Sequence, residues 1–334
     1  MSAGEGFESF LCPACRGGFR GDEQGLTCLS CGRRYSIDGG IPCLFLPNDW
    51  DPGREDVTAD IRSFYEETPF PNYEDTDTIW SLKEKAEKGV FARLLDEQVG
   101  PGVAVLEAGC GTGQLSNFLA IKPGRTVFAS DICLNSLRLG RGFKVRNRLE
   151  NVHFLQMNLF RPVFPEGTFD IVISNGVLHH TSDPELGFRT LVPLAKRGGY
   201  VVIGLYNKYG RLTTDLRRFL FRLSGDRFLS LDPRLRKEKK ISAIRKKTWF
   251  RDQYKNPHES KHTFGEVQRW FRESGVEFLN SLPHAVAFDP FTPQERLFEP
   301  RPRGSRLDHG LVQLHILFTG GREGGFFTMI GRRA

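Results

Sequence analysis

The chain has 334 residues, of which 39% are hydrophobic, and a formal net charge of +7. This length suits a large α/β domain with a small additional module. No run approaches the ~20 apolar residues that span a bilayer, and the start MSAGEGFESF lacks the basic and apolar regions of a signal peptide. We therefore expect a cytoplasmic protein without a transmembrane segment.

The positive charge is concentrated in one segment. Residues 207–251 contain 15 Lys and Arg against 4 Asp and Glu, a local net charge of +11, so the rest of the chain carries −4. This basic segment requires its own explanation, because the chain as a whole is not basic.

Four cysteines near the N-terminus form two C-x2-C pairs: Cys12, Cys15, Cys28 and Cys31. Each pair is typical of a knuckle that places two thiolates on one side of a tetrahedral Zn²⁺. Four thiolates leave no open position, so the predicted zinc is structural and contributes folding energy to a small module. The alternative is four ordinary buried cysteines.

The segment around these cysteines resembles a zinc-ribbon family that includes the small activator subunit of tRNA and protein methyltransferases. Residues 35–42 match the pattern Y-x-I-x-D/G-G-I-P that often ends this ribbon. The resemblance implies a ribbon over residues 1–48. In related chains such a ribbon is often fused ahead of a methyltransferase domain.

A glycine-rich turn follows a predicted buried strand at 103–107. Gly109, Gly111 and Gly113 give G-x-G-x-G, and Gln114 stands where a dinucleotide-binding fingerprint has its last glycine. The next predicted strand, 126–131, ends in Asp131, and a carboxylate there can accept hydrogen bonds from both hydroxyls of a ribose. Together these features indicate a nucleotide-like ligand at the ends of the first two strands.

Further strands are predicted at 152–160, 169–180 and 200–207, separated by helical stretches. After a helix at 264–274, strands follow at 276–281 and 326–333. The pattern predicts an α/β fold, a Rossmann-like, doubly wound, mostly parallel sheet of seven strands. The ribbon precedes this sheet, and a helical cap is inserted into it.

The segments LEAGCGTGQL, SDI, MNLF and FDIVISNGVLHHTSDP resemble successive motifs of class I methyltransferases that depend on S-adenosyl-L-methionine (SAM), especially the ubiquinone/menaquinone-type branch. The match covers residues 100–210 and extends loosely to the C-terminus, where the last strand of this family is antiparallel beside the fifth. The resemblance implies SAM as cofactor, held by Glu107, Gly109, Gly111, Asp131, Asn158, Leu159 and Asn175. A Rossmann-like domain that has lost its ligand is the alternative.

Three of these assignments have a stated chemical role. Glu107 is expected near the methionine amino group, and Asp131 at the ribose. The family commonly has Asp at the adenine N6 position; the amide oxygen of Asn158 can accept the same hydrogen bond.

In many methyltransferases the residues before the first strand form a lid over cofactor and acceptor. Residues 49–100 are therefore expected to be a linker and helical lid, with Tyr65, Phe70 and Tyr73 as acceptor-binding candidates. The alternative is that these aromatic side chains pack against the ribbon or the outer face of the sheet.

Two histidines, His179 and His180, follow the fourth predicted strand. Methyl transfer needs an aligned nucleophile, and a base helps if that nucleophile is a hydroxyl. A histidine near pH 7 suits this role, so both are catalytic candidates. The alternative is that they only shape the loop.

Residues 207–262 leave and re-enter the predicted sheet at its carboxyl edge, where ligands bind. We expect this insert to be an acceptor-binding cap, with Tyr206, His258 and His262 as candidate contacts. Its apolar residues recur at helical spacing with arginines between them: Leu212, Leu216, Phe219, Leu220 and Leu223, with Arg217, Arg218 and Arg222. This helix could pack on the core with solvated arginines, dock on a membrane surface or an acidic acceptor, or contact nucleic-acid phosphates.

Residues 258–262 spell H-E-x-x-H, the zinc motif of metalloproteases. That motif needs both histidines on one helix. Pro257 precedes it, and Thr263 with Glu266 predicts a capping box, so the helix should begin after His262. We therefore reject a metalloprotease site.

These patterns divide the chain into residues 1–48, 49–100, 101–206, 207–262 and 263–334. They are, in that order, the zinc ribbon, the linker and lid, the SAM-binding core, the basic cap and the C-terminal part of the core.

The predicted function is methyl transfer from SAM to a small-molecule acceptor, a natural-product, quinone or envelope precursor that could be anionic or membrane-associated. One alternative is an RNA methyltransferase whose ribbon and insert hold phosphates, although the Asn/Asp-Pro-Pro-Tyr type motif is missing at Asn175. Another is a non-catalytic SAM-binding partner protein.

Overall fold

The computed structural model describes residues 9–22, 25–74, 76–224, 232, 243–292, 294–319 and 324–334. These residues form a small antiparallel sheet and a larger mixed sheet with helices. None of the described helices combines the length and the apolar character needed to cross a membrane.

The small sheet contains four strands in sequential order: β1 (Phe19–Gly21), β2 (Gly25–Cys28), β3 (Arg34–Asp38) and β4 (Ile41–Pro42). The hairpin formed by β1 and β2 lies between the two C-x2-C pairs. It closes the chain so that both pairs meet at one end, as the ribbon prediction requires.

The large sheet has seven strands: β5 (Ala104–Ala108), β6 (Thr126–Asp131), β7 (Val152–Gln156), β8 (Phe169–Asn175), β9 (Ala195–Tyr206), β10 (Val276–Leu282) and β11 (Phe326–Arg333). Their order is β10-β11-β9-β8-β5-β6-β7. Strands β5 to β9 pair in parallel, and β11 runs antiparallel between β9 and β10. The predicted Rossmann-like sheet, including its antiparallel last strand beside β9, is confirmed.

The described α-helices are α1 (Thr58–Glu67), α2 (Ile79–Lys88), α3 (Val90–Gln98), α4 (Gln114–Leu119), α5 (Leu134–Arg146), α6 (Pro184–Leu191), α7 (Leu212–Ser224), α8 (Ala243–Lys255), α9 (Phe264–Glu273) and α10 (Arg306–Thr319). Short 3₁₀ turns cover Leu178–His180 and Val192–Leu194. The capping box predicted at α9 is present, since the Thr263 side chain accepts from the Glu266 backbone and the Glu266 side chain accepts from Thr263. Helix α9 therefore begins after His262, and the H-E-x-x-H residues are not helical.

The central strands are buried on both faces, which explains their continuous apolar sequences. Val105 and Leu106 of β5, for example, are fully buried. The small sheet packs at the β7 edge, where the Leu44 backbone N–H donates to the Gln156 carbonyl at 2.9 Å. Phe10 also packs edge-on against Phe164. The ribbon therefore shares a core with the large domain, which a module of its size could not build alone.

The insert places α7 and α8 beside the carboxyl ends of β8 and β9. The interpretation that the apolar face of α7 packs on the core is wrong. Leu216, Phe219 and Leu223 are exposed, whereas Thr214 and Phe221 on the opposite side of the helix are buried. Arg218, expected in solvent, is mostly buried and pairs with Glu259 at 3.2 Å.

Candidate active site

The glycine-rich loop after β5 has a backbone that only glycine adopts easily. Gly109 has a φ of +82° and Gly111 a φ of +54°. A Cβ atom on Gly111 would collide with the Phe70 carbonyl, and one on Gly109 would collide with Val177. The glycines therefore allow the loop, the segment after α1 and the turn after β8 to approach one another closely.

Asp131, at the end of β6, fixes this loop. Its Oδ2 accepts the Gly111 backbone N–H at 2.7 Å, and its Oδ1 accepts that of Cys133 at 2.8 Å. Burial raises the pKa of Asp131 to about 6, although these backbone hydrogen bonds oppose the shift. The carboxylate still lines an open cavity, so it can bind a ligand group as well as the loop.

Glu107, the fourth residue of β5, is a second buried carboxylate in the same cavity. Its Oε2 accepts a short hydrogen bond from the Ser116 hydroxyl. Burial raises the pKa of Glu107 to about 7, and repulsion from Asp131 contributes to the shift. Two carboxylates destabilised by desolvation would be stabilised by a positively charged ligand.

The cavity has a volume of about 400 Å³, within the usual range for small-molecule sites. It extends from the ends of β5, β6 and β7 to α1, β9 and the insert. Its lining includes eleven predicted site residues: Tyr65, Phe70, Glu107, Gly109, Gly111, Asp131, Asn158, Leu159, Asn175, His180 and Tyr206.

Asn158 lies in the cavity wall, but its amide is already engaged. Its Nδ2 donates to the Leu46 carbonyl at 2.9 Å and to Asn48 Oδ1 at 2.8 Å. Its Oδ1 accepts the Phe160 backbone N–H at 3.0 Å, which leaves one lone pair on that oxygen. Asn158 thus also ties residues 46–48, at the end of the predicted ribbon, to the loop after β7.

Tyr73 lies outside the cavity. Its ring stacks on Phe143 of α5, with ring centroids 4.7 Å apart, and its hydroxyl accepts from Asn117 Nδ2 at 3.0 Å. The structure therefore packs Tyr73 against helix α5.

Three predicted histidines also do not line the cavity. His179 is buried beside His180, with ring centroids 4.2 Å apart. His258 contributes only its carbonyl oxygen, which His180 contacts. His262 is buried, and its Nδ1 lies 3.0 Å from Glu266 Oε1. These residues surround the cavity wall without reaching its interior.

His180 faces the cavity with a defined tautomer. Its Nδ1 lies 2.8 Å from the His258 carbonyl oxygen. Because a carbonyl can only accept, Nδ1 carries the proton and Nε2 keeps a lone pair. Burial lowers the pKa of His180 below its usual 6.5, so the ring is neutral at pH 7.

Asp252 of α8 lines the cavity and was missed by the sequence analysis. Its Oδ1 accepts the Tyr65 hydroxyl at 2.8 Å and its Oδ2 accepts Gln253 Nε2 at 2.9 Å. Gln253 Nε2 also donates to the Tyr206 hydroxyl at 2.9 Å. The available signal was that Asp252 is the single acidic residue between positions 239 and 258, in a basic stretch.

A buried ion pair supports this wall of the cavity. Arg211 Nε donates to Glu259 Oε1 at 3.0 Å, and the Arg211 guanidinium stacks over the Tyr206 ring at 3.6 Å. Both charged side chains are almost fully buried. Glu259, the acid of the H-E-x-x-H motif, is therefore an internal partner of Arg211, and nearby charges lower its pKa although burial opposes this.

The four N-terminal cysteines form a separate cluster. Their sulfur atoms all lie within 4.8 Å of one another, with Cys12 and Cys31 at 3.8 Å and Cys15 and Cys28 at 3.4 Å. A tetrahedral zinc with Zn–S bonds of ~2.3 Å requires S–S separations of ~3.8 Å. The four donors therefore fit a structural metal ion.

Comparison with known proteins matches part of the chain to a methyltransferase family. The profile of the family described as methyltransferase domain matches residues 106–203. The chain is 32% identical over 140 residues to a ubiquinone biosynthesis O-methyltransferase of Bordetella bronchiseptica, covering 40% of the chain and 53% of the relative. It is 31% identical over 112 residues to a ubiquinone/menaquinone biosynthesis C-methyltransferase of Vibrio vulnificus, covering 32% and 43%. The chain thus spans about half the length of these curated relatives.

A solved structure supports the fold. PKMT2 from Rickettsia typhi superposes with a TM-score of 0.51 at 15% identity, covering 73% of this chain and 52% of that one. The family match lies on β5 to β9, the strands that carry the glycine loop, Glu107 and Asp131. Residues 106–203 therefore form a domain that matches the methyltransferase-domain family, and ahead of it the chain carries a four-cysteine module that fits a zinc ribbon.

Proposed function

We propose that the chain transfers the methyl group of SAM to a hydroxyl of a small organic acceptor bound between α1 and the insert. The observation that carries this proposal is the continuity of the cavity. It joins Glu107 and Asp131 on one side to His180 and Asp252 on the other. A cofactor at the first pair would thus face an acceptor at the second.

SAM would supply a methyl group attached to a positively charged sulfur. Glu107 would bind its amino group, and Asp131 would accept hydrogen bonds from its ribose hydroxyls. The raised pKa values of both carboxyls support a cationic ligand, because such a ligand would favour their ionised forms. Gly109 and Gly111 would let the ligand lie against the backbone. Asn158, Leu159 and Asn175 complete the proposed cofactor contacts.

His180 would act as general base. Its Nε2 accepts the proton of the acceptor hydroxyl while that oxygen forms a bond to the methyl carbon and the carbon–sulfur bond breaks, its electron pair remaining on sulfur. The neutral state of His180 supports this role. Tyr65 and Asp252, joined by a 2.8 Å hydrogen bond, would orient the acceptor.

The acceptor belongs, on this proposal, to the natural-product, quinone or envelope precursors. Phe70, Tyr206 and Phe326 give the acceptor side aromatic walls, and Asp252 gives it a polar anchor. The Bordetella and Vibrio relatives are methyltransferases of quinone biosynthesis, which favours an aromatic acceptor. The insert at residues 207–262 would select it, since Asp252 comes from α8.

We also propose that the four-cysteine cluster holds one structural Zn²⁺. The sulfur separations support it, and so does the small size of the ribbon. Cys12, Cys15, Cys28 and Cys31 would fix the end of the β1–β2 hairpin. No catalytic step involves this site.

The test follows the methyl group itself. Purified protein is incubated with methyl-labelled SAM and a cell extract, and label is counted separately in the organic-soluble and the precipitated RNA fractions. We expect label in the organic fraction, reduced by at least about tenfold in Asp252→Asn while S-adenosylhomocysteine affinity stays within about threefold. Label in RNA, with RNA binding that falls steeply with salt, would replace this proposal with the RNA alternative. Cofactor binding without label in either fraction would favour the non-catalytic partner.

A further inference from the structure

The outer surface of the insert carries an apolar stripe that nothing in the described part of the chain covers. Leu216, Phe219 and Leu223 of α7 have 61%, 58% and 71% of their surfaces exposed. Leu212 and Leu220, at the same helical spacing, are exposed as well. Since Thr214 and Phe221 are buried on the other side, the stripe points away from the protein.

A neighbouring helix adds a second stripe of the same kind. Leu307, Leu314 and Phe318 of α10 are exposed on one face, with 79% of Phe318 in solvent. The chain just before α7 contacts the buried side of α10, since an added Cβ on Gly210 would come within 2.6 Å of Cγ2 of the buried Ile316. Scattered exposed leucines need no explanation, but five large apolar side chains along one face of α7 mark an interaction surface.

The positive charge near the apolar stripe indicates which kind of partner could bind there. Residues 207–251 carry a net charge of +11 in the sequence. Among the described residues of this segment, Arg211 and Arg218 pair internally with Glu259, whereas Lys208 and Arg222 are exposed near the two ends of α7. A second copy of the chain would bring two such segments together across a two-fold interface, and their repulsion would oppose pairing. RNA phosphates would suit the charge but leave the leucines in water. A partner surface that is both anionic and apolar would match the basic residues and the exposed leucines together.

We propose that the exposed face of α7 docks this protein on the surface of an anionic phospholipid bilayer. Leucine and phenylalanine side chains enter the boundary between headgroups and acyl chains, and the flanking basic residues contact lipid phosphates. The helix lies in the plane of the membrane rather than crossing it, because its 13 residues are interrupted by three arginines. The inference goes beyond the proposed methyl transfer and does not depend on the acceptor.

The test measures co-sedimentation of the full chain with lipid vesicles, without SAM or acceptor. One set is phosphatidylcholine alone, and the other contains about a third phosphatidylglycerol. The test variant is Leu216→Ser combined with Phe219→Ser, and the matched control is Trp80→Ser on α2, whose side chain is 78% exposed. Melting temperature and S-adenosylhomocysteine affinity confirm that each variant is folded.

We expect the unchanged protein to sediment with anionic vesicles and to be released by salt. The double variant should bind them at least about tenfold more weakly, whereas Trp80→Ser should bind normally. Failure of the unchanged protein to sediment would overturn the proposal. Equal binding of the double variant would do the same. A dimer that the double variant converts to a monomer, with no vesicle binding, would assign the stripe to self-association instead.

Discussion

The Gly111 backbone N–H donates a 2.7 Å hydrogen bond to Asp131 Oδ2, which joins the glycine loop of β5 to the carboxylate that ends β6. Because the other oxygen accepts from Cys133, Asp131 organises the site before any ligand binds. Replacing it with Ala would therefore disturb the loop as well as the proposed ribose contact. Asn is the more specific substitution, since its side chain keeps one oxygen that can accept a backbone hydrogen bond.

We predict that Asp131→Asn weakens binding of S-adenosylhomocysteine by about ten- to hundredfold, through the loss of charge-assisted hydrogen bonds to the ribose. Titration calorimetry measures it. Asp170→Asn is the control, because that carboxylate accepts from the Ala104 backbone at the opposite end of the sheet. Unchanged affinity in Asp131→Asn would remove Asp131 from the cofactor site. NAD should not bind to the unchanged protein.

Ionisation of Glu107 should lower the stability of the ligand-free protein but raise its affinity for the cofactor. Burial raises its pKa from 4.5 to about 7 in the folded protein, so its stabilising contribution is fully present below pH 4.5 and is lost as pH rises through 7. We predict that Glu107→Gln raises the free energy of unfolding of the ligand-free protein at pH 8 by about 1–3 kcal/mol. At pH 5 the two proteins should differ little.

The same variant should bind SAM more weakly, because an amide cannot neutralise the ligand's positive charge. In the unchanged protein, affinity should rise as pH increases from 5.5 to about 7 and Glu107 loses its proton. Urea unfolding at pH 5 and pH 8 measures the effect on stability, and calorimetry from pH 5.5 to 7 measures the effect on affinity. A variant that is destabilised at pH 8 and binds SAM normally would contradict the assignment.

Local sequence patterns predicted the parts of the molecule that depend on local chemistry. The C-x2-C spacing, the loop at Gly109 and the strand ending at Asp131 each follow from nearby residues, and the structure contains the corresponding elements. Tyr73 and Asp252 show what such patterns miss. Whether an aromatic ring lines a cavity or stacks on Phe143, and whether an acid in a basic stretch turns inward, depends on contacts far away in sequence.

The orientation of α7 shows a different limit. Helical spacing of its leucines predicts an amphipathic helix, and an amphipathic helix usually turns its apolar face inward. Here Arg218 is drawn inward by Glu259, and the leucines face solvent. Periodicity identifies the two faces of a helix, but it does not say which face the rest of the chain contacts.

His180 should leave a signature in the pH dependence of the reaction. Burial lowers its pKa below 6.5, so as a general base it is active at neutral pH and is lost only when the pH falls through that lower value. We predict a kcat that is constant from pH 7 to 8 and falls below pH 6.5. His180→Gln should reduce kcat by about 10²–10⁴-fold with little change in SAM affinity. Full activity in this variant would leave His180 as a loop-shaping residue.

The metal content of the purified protein tests the ribbon. We predict one Zn²⁺ per chain by elemental analysis, lost in Cys12→Ser combined with Cys28→Ser. Cys43→Ser is the matched control, because Cys43 lies in the same module but its thiol contacts the Ile41 carbonyl. Since the ribbon shares a core with the β7 edge, loss of zinc should also lower the melting temperature. Zinc that remains in the double variant would place the ion elsewhere.

Glu259 distinguishes a structural acid from the catalytic acid that H-E-x-x-H would suggest. Its side chain is 1% exposed and pairs with Arg211, which is fully buried. Removing one partner leaves the other as an uncompensated buried charge, so we predict that Glu259→Gln lowers the free energy of unfolding by about 3 kcal/mol. Glu84→Gln is the control: Glu84 pairs with Lys88 on the surface, and its loss should leave the stability almost unchanged. Zinc content should be the same in both variants. A stable Glu259→Gln protein that has lost zinc would restore the metal-binding interpretation of residues 258–262.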